Sequence, residues 1–73
     1  MNRLKRDIGK RFAKLRGKRS YLKFAQDCGV SVSLLQRYET GGGLPSVDNL
    51  FILHMETGVS LDWLLLGRGS MFN

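Results

Sequence analysis

Apolar residues recur every three or four positions along most of this chain, which is the spacing of an amphipathic α-helix. The first apolar stripe consists of Leu4, Ile8, Phe12 and Leu15. It predicts a helix from about Asp7 to Arg16, in which Asp7 lies near the positive end of the helix dipole. Gly17 follows and predicts the end of this helix, because glycine readily adopts the left-handed conformation that closes one.

Shorter apolar segments follow, and each begins after a serine, a favoured N-cap, and ends at a glycine. They predict helices between Ser20 and Gly29, between Ser31 and Gly41, between Ser46 and Gly58, and over residues 61–66 after Ser60. The apolar face predicted for the fourth helix consists of Val47, Leu50, Phe51 and His54. No segment alternates strictly enough for a β-strand, so the predicted fold class is all-α, with five helices.

The chain has 73 residues, which is enough for one domain and leaves no room for a second core. A domain of this size buries only about 60% of its unfolded surface, too little interior for most enzyme pockets. With 42% apolar and 25% charged residues, the composition is that of an ordinary globular protein and excludes disorder. These properties favour a binding module over an enzyme.

Positive charge is concentrated at the N-terminal end of the chain. The net charge is +6, but residues 1–23 contain ten Lys or Arg residues against Asp7 alone, and the remaining residues carry a net charge of −3. Such a concentration of positive charge produces an electrostatic field that indicates an acidic, extended partner, either nucleic acid or an anionic membrane surface. A solvated basic face that merely aids solubility is the alternative.

The sequence lacks the residues that several other kinds of site require. A single cysteine and a single histidine, Cys28 and His54, cannot form a disulfide or a four-ligand zinc site. Cys28 fits the apolar pattern as a buried, inert thiol, and His54 as a packed, hydrogen-bonded side chain. There are no paired catalytic carboxylates, and the glycines at 41–43 lack the lysine of a nucleotide-binding loop. We therefore expect no enzymatic activity, no metal, no cofactor and no small-molecule substrate.

No apolar run approaches the length of a membrane span. The longest, Trp63 to Leu66, is far shorter than the ~20 residues that cross a bilayer. The basic N-terminus is not followed by the long apolar stretch of a secretory signal. We therefore expect a cytoplasmic protein.

The second and third predicted helices are separated only by Gly29, Val30 and Ser31. This connection is too short for an antiparallel hairpin and predicts a steep crossing, as in a helix-turn-helix. Ala25 is small enough for the helices to approach closely, and Gly29 suits the left-handed turn. The inside of the corner is predicted to be closed by Phe24, Cys28, Val30, Leu35 and Tyr38.

Residues 20–39, SYLKFAQDCGVSVSLLQRYE, resemble the phage-repressor or Cro-like (XRE-type) helix-turn-helix family. The resemblance continues through Pro45-Ser46 to the segment VSLDWLL at residues 59–65, and covers about residues 8–67. It implies a lambda-repressor-like DNA-binding domain of five helices whose third helix enters the major groove. It also implies a transcriptional repressor that binds operator half-sites in double-stranded DNA as a homodimer. We divide the chain into a basic N-terminal arm (residues 1–6), a helix-turn-helix domain (residues 7–67) and a C-terminal tail (residues 68–73).

The third helix has an outward stripe that could read bases. With Leu35 and Tyr38 turned inward, the stripe consists of Ser33, Gln36, Arg37 and Thr40, at spacings i, i+3, i+4 and i+7. Arginine can form two hydrogen bonds to guanine and glutamine two to adenine. Val32 stands where relatives often carry a polar base-reading residue, and it offers an apolar contact, for instance with a thymine methyl group. The predicted base-reading residues are Val32, Ser33, Gln36 and Arg37.

A second group of residues is expected at the DNA phosphates. The group comprises Arg3, Lys5, Arg6, Ser20, Tyr21, Lys23, Ser31, Thr40 and Gly42. Tyr21 stands where the family often has a DNA-contacting glutamine, and it retains one hydroxyl. The resemblance also implies that Glu39 pairs with Arg16 and so ties the third helix to the first.

Association is predicted at the last helix, where Leu66 prolongs an apolar run beside Trp63 and Leu65. Together these side chains form a patch that a small monomer can scarcely cover, which predicts the two-fold seam of a homodimer. The alternative function is a helical protein-interaction module with a basic membrane- or nucleic-acid-binding arm. A membrane-binding helix would need exposed bulky apolar anchors, whereas the stripe of the first helix is needed in the core.

Overall fold

Helices account for most of residues 2–72, which the computed structural model describes. In this range they are α1 (Asn2–Arg16), α2 (Tyr21–Cys28), α3 (Val32–Thr40), α4 (Val47–Thr57) and α5 (Leu61–Leu66). The predicted all-α fold with five helices is therefore confirmed. The only strand-like pairing in the described range is one isolated antiparallel bridge between Val59 and Phe72.

Serine caps begin four of the helices, as the sequence predicts. The hydroxyl oxygens of Ser20, Ser31, Ser46 and Ser60 each accept a hydrogen bond from the backbone N–H three residues later, at 3.1–3.3 Å. Each of these bonds satisfies an N–H that has no partner within its helix. Local capping therefore fixes where α2 to α5 begin, and this is why their predicted beginnings are accurate.

The beginning of α1 is different from the prediction. The helix begins at Asn2 and not near Asp7, so Asp7 lies in its second turn and residues 2–6 of the predicted arm are helical. Arg, Leu and Lys in this segment are good helix formers, and no glycine or proline among them stops the helix. Leu4 is 42% exposed and does not join the buried stripe. Met1 and Asn73, the ends of the predicted arm and tail, lie outside the described residues.

The core is formed where α1 crosses α3 and the remaining helices close over the junction. Ile8, Phe12 and Leu15 of α1 are buried, as are Leu35 and Tyr38 of α3. The rings of Phe12 and Tyr38 pack at a centroid distance of 5.3 Å and a tilt of 36°. The remaining buried apolar residues are Phe24, Ala25, Cys28, Leu53, Val59 and Leu64.

The apolar face predicted for α4 is wrong at two of its four positions, Val47 and Phe51. Leu53, which is not on the predicted face, enters the core and is 1% exposed, whereas Val47 is 80% and Phe51 is 64% exposed. Leu50 and His54 are half-buried. The reason is that α4 carries apolar residues on every side, so no single stripe marks which side faces the core.

The chain after α5 folds back onto the domain. The Ser60 N–H donates to the Met71 carbonyl at 2.7 Å, beside the bridge between Val59 and Phe72. The half-buried Met71 side chain packs against the core. The described part of the predicted tail therefore covers the beginning of α5.

Cys28 and His54 occupy structural positions. Cys28 is buried, and burial together with the neighbouring Asp27 carboxylate raises the pKa of its thiol to about 12. His54 Nδ1 lies 2.8 Å from the Val59 carbonyl oxygen, within hydrogen-bond distance. This bond joins α4 to the segment that precedes α5.

We expect Cys28 to react with a thiol reagent only in unfolded molecules, because the thiolate is the nucleophile and burial suppresses it. The pKa of the thiol is about 12 in the folded protein, against an ordinary value of 9.0 in the unfolded chain. The folded state therefore holds its proton more tightly, and the resulting stabilisation, complete below about pH 9, is lost as the pH rises toward 12. Labelling at pH 8 should be at least ~100-fold slower in buffer than in denaturant. Fast stoichiometric labelling of the folded protein would contradict this.

Candidate nucleic-acid interface

The turn between α2 and α3 is closed by backbone hydrogen bonds around a left-handed glycine. Gly29 has φ 72°, and its N–H donates to the Gln26 carbonyl at 3.2 Å. The Val30 N–H donates to the Ala25 carbonyl at 3.0 Å. Ala25 is buried, so the two helices approach closely and cross as a helix-turn-helix.

The outward side of α3 is open to solvent over its whole length. Leu35 and Tyr38 are buried against the core, while the stripe of Ser33, Gln36, Arg37 and Thr40 is exposed. Val32, the fourth predicted base-reading residue beside Ser33, Gln36 and Arg37, is half-buried and partly packed on the core. A helix whose apolar side is buried and whose polar side is accessible to solvent has the form needed to enter a groove of DNA.

Two residues of this stripe make hydrogen bonds within the chain. Arg37 Nη2 donates to the Gly42 carbonyl at 3.1 Å, and its guanidinium lies over Gly43. The Thr40 hydroxyl donates to the Gln36 carbonyl at 2.9 Å. Ser33 and Gln36 make no side-chain hydrogen bond with any part of the chain that is described, so both side chains are free to rotate.

Arg16 and Glu39 are brought together as a two-pronged ion pair between α1 and α3. Arg16 Nε donates to Glu39 Oε2 at 2.8 Å, and Arg16 Nη2 donates to Glu39 Oε1 at 3.1 Å. The hydrogen bond to Glu39 raises the pKa of Arg16, against the opposing effect of burial. Arg16 also donates to the Arg19 carbonyl at 3.0 Å and lies 4.1 Å above the ring of Tyr21. The Glu39 carboxylate is therefore neutralised and held away from the open side of α3.

Gly9 is a structural determinant that the sequence analysis missed. A Cβ at this position would lie 2.5 Å from the Tyr38 carbonyl oxygen and 2.7 Å from the Glu39 carbonyl oxygen. The backbones of α1 and α3 thus touch directly at Gly9, one turn before Phe12. The sequence did contain a signal, a glycine inside an amphipathic helix. Because glycine has a low helix propensity, its presence there indicates close packing against another segment.

Not all of the N-terminal cations are available to a ligand. Arg19 donates to the Leu15 and Arg16 carbonyls at the end of α1, and its Nη1 lies 3.3 Å from Asp27 Oδ2. Arg11 Nη1 donates to the Leu64 carbonyl at 3.0 Å and joins α1 to α5. Together with the paired Arg16, these arginines hold the helices together, a distinction that charge counting alone could not make.

The predicted phosphate-binding residues Lys5 and Arg6 lie beside the loop that follows α3. A Cβ at Gly41 would lie 3.3 Å from Arg6 Cα and 3.6 Å from the Lys5 carbonyl carbon. The first turns of α1 are therefore adjacent to the Thr40–Gly42 segment. Arg3 is exposed, and its helical position places it about half a turn away from Phe12, on the outer side of α1.

The remaining predicted phosphate-binding residues lie at the beginnings of α2 and α3. The group of Ser20, Tyr21, Lys23 and Ser31 is exposed. Each capping serine uses its oxygen as an acceptor, which leaves its hydroxyl hydrogen to donate to an anion. Lys23 Nζ lies 3.5 Å from Asp27 Oδ1, so its charge is partly balanced.

Of the predicted dimer-seam residues, only Leu66 is exposed, at 57%. Trp63 and Leu65 are half-buried and pack partly on the core. The seam residues thus present one exposed apolar side chain, Leu66, and two partly exposed ones, Trp63 and Leu65.

The chain matches a helix-turn-helix family (HTH_3) over residues 11–64. The match begins inside α1 and ends inside α5, and therefore contains the whole α2–α3 unit. No curated protein matches the chain significantly. No helix in the described range is long and apolar enough to cross a membrane. Because the match covers most of its length and the helices have the predicted order, the chain belongs to the Cro/XRE-like helix-turn-helix family of DNA-binding proteins.

Proposed function

We propose that this DNA-binding transcription regulator is a sequence-specific repressor of the phage type, which binds operator half-sites in double-stranded DNA as a homodimer. The observation that carries the proposal is the exposed stripe on α3. Its opposite side is fixed by the contact at Gly9 and by the Arg16–Glu39 pair. A rigidly held helix with free polar side chains can distinguish bases, because its side chains reach the groove in one register.

Within this proposal, Ser33 and Gln36 contact base edges and Val32 provides an apolar contact. Arg37 uses one of its five N–H donors on Gly42, which leaves the others for a guanine. The same bond holds the loop after α3, so Arg37 couples base contact to the position of Gly42. The backbone N–H of Gly42 itself donates to the Arg37 carbonyl at 2.7 Å, so a phosphate contact there would need a change in the loop.

The alternative is a protein-interaction module whose basic end binds a membrane surface. That function requires bulky apolar anchors on the exposed side of α1. Ile8, Phe12 and Leu15 are each at most 4% exposed because the core occupies them, which leaves the single exposed Leu4 as the bulky apolar side chain available on α1. The burial of this stripe favours DNA over a lipid surface, and a role on DNA implies the cytoplasm as the compartment.

We expect the variant Lys5→Gln/Arg6→Gln to show a flatter salt dependence of DNA binding than the parent. Each phosphate contact contributes about 0.9 to the log–log slope, so the loss of two contacts should flatten it by about two units for each bound protomer. The measurement is fluorescence anisotropy of a labelled duplex titrated at several salt concentrations. Substitution is preferable to deletion, because residues 2–6 are helical and the Arg6 backbone packs on Gly41.

The matched control is Lys10→Gln/Lys14→Gln, which removes the same charge from exposed positions on the outer side of α1. It should change the slope less than the first variant does. Equal slopes for the two variants would contradict the placement of Lys5 and Arg6 at phosphates.

Anionic vesicles at the same ionic strength form the second arm of the experiment. Binding to vesicles without binding to duplex would support the alternative function.

We expect Leu66→Gln to weaken dimer assembly on DNA by more than about ten-fold, because burial of one leucine side chain corresponds to about that factor and both subunits of the dimer lose one. Sedimentation on a palindromic duplex with half-sites one helical turn apart, about 34 Å, measures the second binding step. Phe51→Gln, which replaces an exposed apolar residue on α4, should leave this step unchanged. A wild-type protein that remains strictly monomeric both alone and on the duplex would contradict the dimer.

A further inference from the structure

The outward side of α4 is apolar, which is the reverse of the usual amphipathic pattern. Val47, Phe51, Ile52 and Met55 are all exposed, although each is a large hydrophobic residue. Their spacing places them on one continuous surface opposite the buried Leu53. We call these four residues the α4 face. A helix that is apolar on both sides is ordinarily covered on both sides.

The α4 face contains a shallow open depression. Its volume is about 540 Å³, and it is lined by Val47, Asp48, Phe51 and Ile52. The walls are mostly apolar, with the Asp48 carboxylate as the charged group. A depression of this kind accepts an apolar side chain whose neighbours are basic.

Acidic residues lie within the α4 face, at Asp48, and beside it, at Glu56, although the chain as a whole carries a net charge of +6. Asp48 and Glu56 are exposed, and neither takes part in an ion pair among the described residues. The sequence of α4, VDNLFILHMET, contains no lysine or arginine. The surface is therefore mostly apolar, with one carboxylate within it and one at its edge, and it is electrostatically distinct from the basic α1.

A second copy of the chain is a poor occupant for this surface. Two-fold pairing through α4 would bring Asp48 and Glu56 of one copy against the same residues of the other, and opposed like charges disfavour association. The chain does have a basic amphipathic helix, α1. Its apolar stripe is already buried in the core and cannot leave without unfolding the domain.

We propose that the α4 face docks a basic amphipathic helix of a partner protein. The helix lays apolar residues at positions i, i+3, i+4 and i+7 on Phe51, Met55 and Val47, and its Lys or Arg residues face Asp48 and Glu56. Met55 adapts to the shape of the incoming side chains, because its thioether chain is flexible. This surface contains none of the residues assigned to DNA, so the partner binds without displacing the base-reading helix.

The test uses a fluorescently labelled 18-residue peptide of leucine and lysine, with leucine at helical spacing, and a second peptide in which glutamate replaces each lysine. Anisotropy at physiological salt should show binding of the lysine peptide and at least ten-fold weaker binding of the glutamate peptide. Phe51→Gln/Met55→Gln should weaken the lysine peptide about ten-fold or more, because anchor residues dominate such contacts. Asp48→Asn/Glu56→Gln should weaken it and flatten its salt dependence. Leu22→Gln, at an exposed apolar position on α2, is the matched control and should leave the affinity unchanged.

Amide chemical shifts of the wild-type protein give a readout that needs no variant, and the lysine peptide should shift residues 47–56 selectively. The proposal is overturned if neither peptide binds, if both bind equally, or if the shifts lie elsewhere. It is also overturned if Phe51→Gln/Met55→Gln keeps full affinity. A dimer of the free protein that this variant dissociates would assign the face to a second copy instead.

Discussion

Gly9→Ala should lower the free energy of unfolding by about 3 kcal/mol, the upper part of the range for overpacked sites. The new methyl group would lie 2.5 Å and 2.7 Å from the carbonyl oxygens of Tyr38 and Glu39, and those atoms belong to the backbone of α3. Neither helix can move aside without separating Phe12 from Tyr38 in the core. Urea unfolding followed by circular dichroism measures the change.

Helix propensity alone predicts the opposite sign, since alanine stabilises a helix interior by about 1 kcal/mol relative to glycine. Gly58→Ala serves as the control, because Gly58 has φ 75° and nothing within 4 Å of its Cβ position. It should cost about 1 kcal/mol from backbone conformation alone. A Gly9→Ala protein as stable as the parent, or more stable, would show that α1 and α3 do not touch there.

Arg16→Met should destabilise the domain by about 3 kcal/mol, because it leaves a buried carboxylate without its partner. The Glu39 side chain is 5% exposed and the Arg16 side chain is 20% exposed. Glu39→Gln should therefore cost less, since Arg16 can still reach water and retains its bond to the Arg19 carbonyl. Thermal and urea unfolding of both single variants give the comparison.

The single variant Glu39→Leu and the double variant Arg16→Met/Glu39→Leu complete a thermodynamic cycle with Arg16→Met. Replacing both charges with apolar side chains removes the stranded carboxylate, so the double variant should be more stable than Arg16→Met alone. Additive losses would mean that the two side chains do not interact. A larger loss for Glu39→Gln than for Arg16→Met would contradict the assignment of Glu39 as the more deeply buried partner.

Local rules predicted much of this fold because the chain marks its helix ends clearly. Ser20 and Ser31 cap the two helices of the motif, and Gly29 has the left-handed conformation that the short turn requires. The separation of Leu35 and Tyr38 from Gln36 and Arg37 also follows from helical periodicity. The recognisable order of these signals was sufficient to identify the family.

Most of the features that were missed depend on contacts between distant segments. No stop signal separates residues 2–6 from α1, so only the structure fixes where this helix begins. The buried side of α4 is chosen by how it packs on α2, since its own sequence is apolar all round. Arg11 and Arg19 donate hydrogen bonds to backbone carbonyls that come close only in the folded chain. A count of charges in the sequence therefore does not distinguish these arginines from exposed lysines.

We propose above all that α3 reads sequence, and selection of bound fragments from a random duplex pool tests this claim most directly. The parent protein should enrich a two-fold symmetric consensus with half-sites about one helical turn apart. Gln36→Ala should relax one or two positions of that consensus with the thermal midpoint nearly unchanged, because Gln36 is exposed. Gln26→Ala, which removes an exposed glutamine from α2, should select the parent consensus. A pool without an enriched sequence, or an identical consensus for Gln36→Ala and the parent, would contradict the claim.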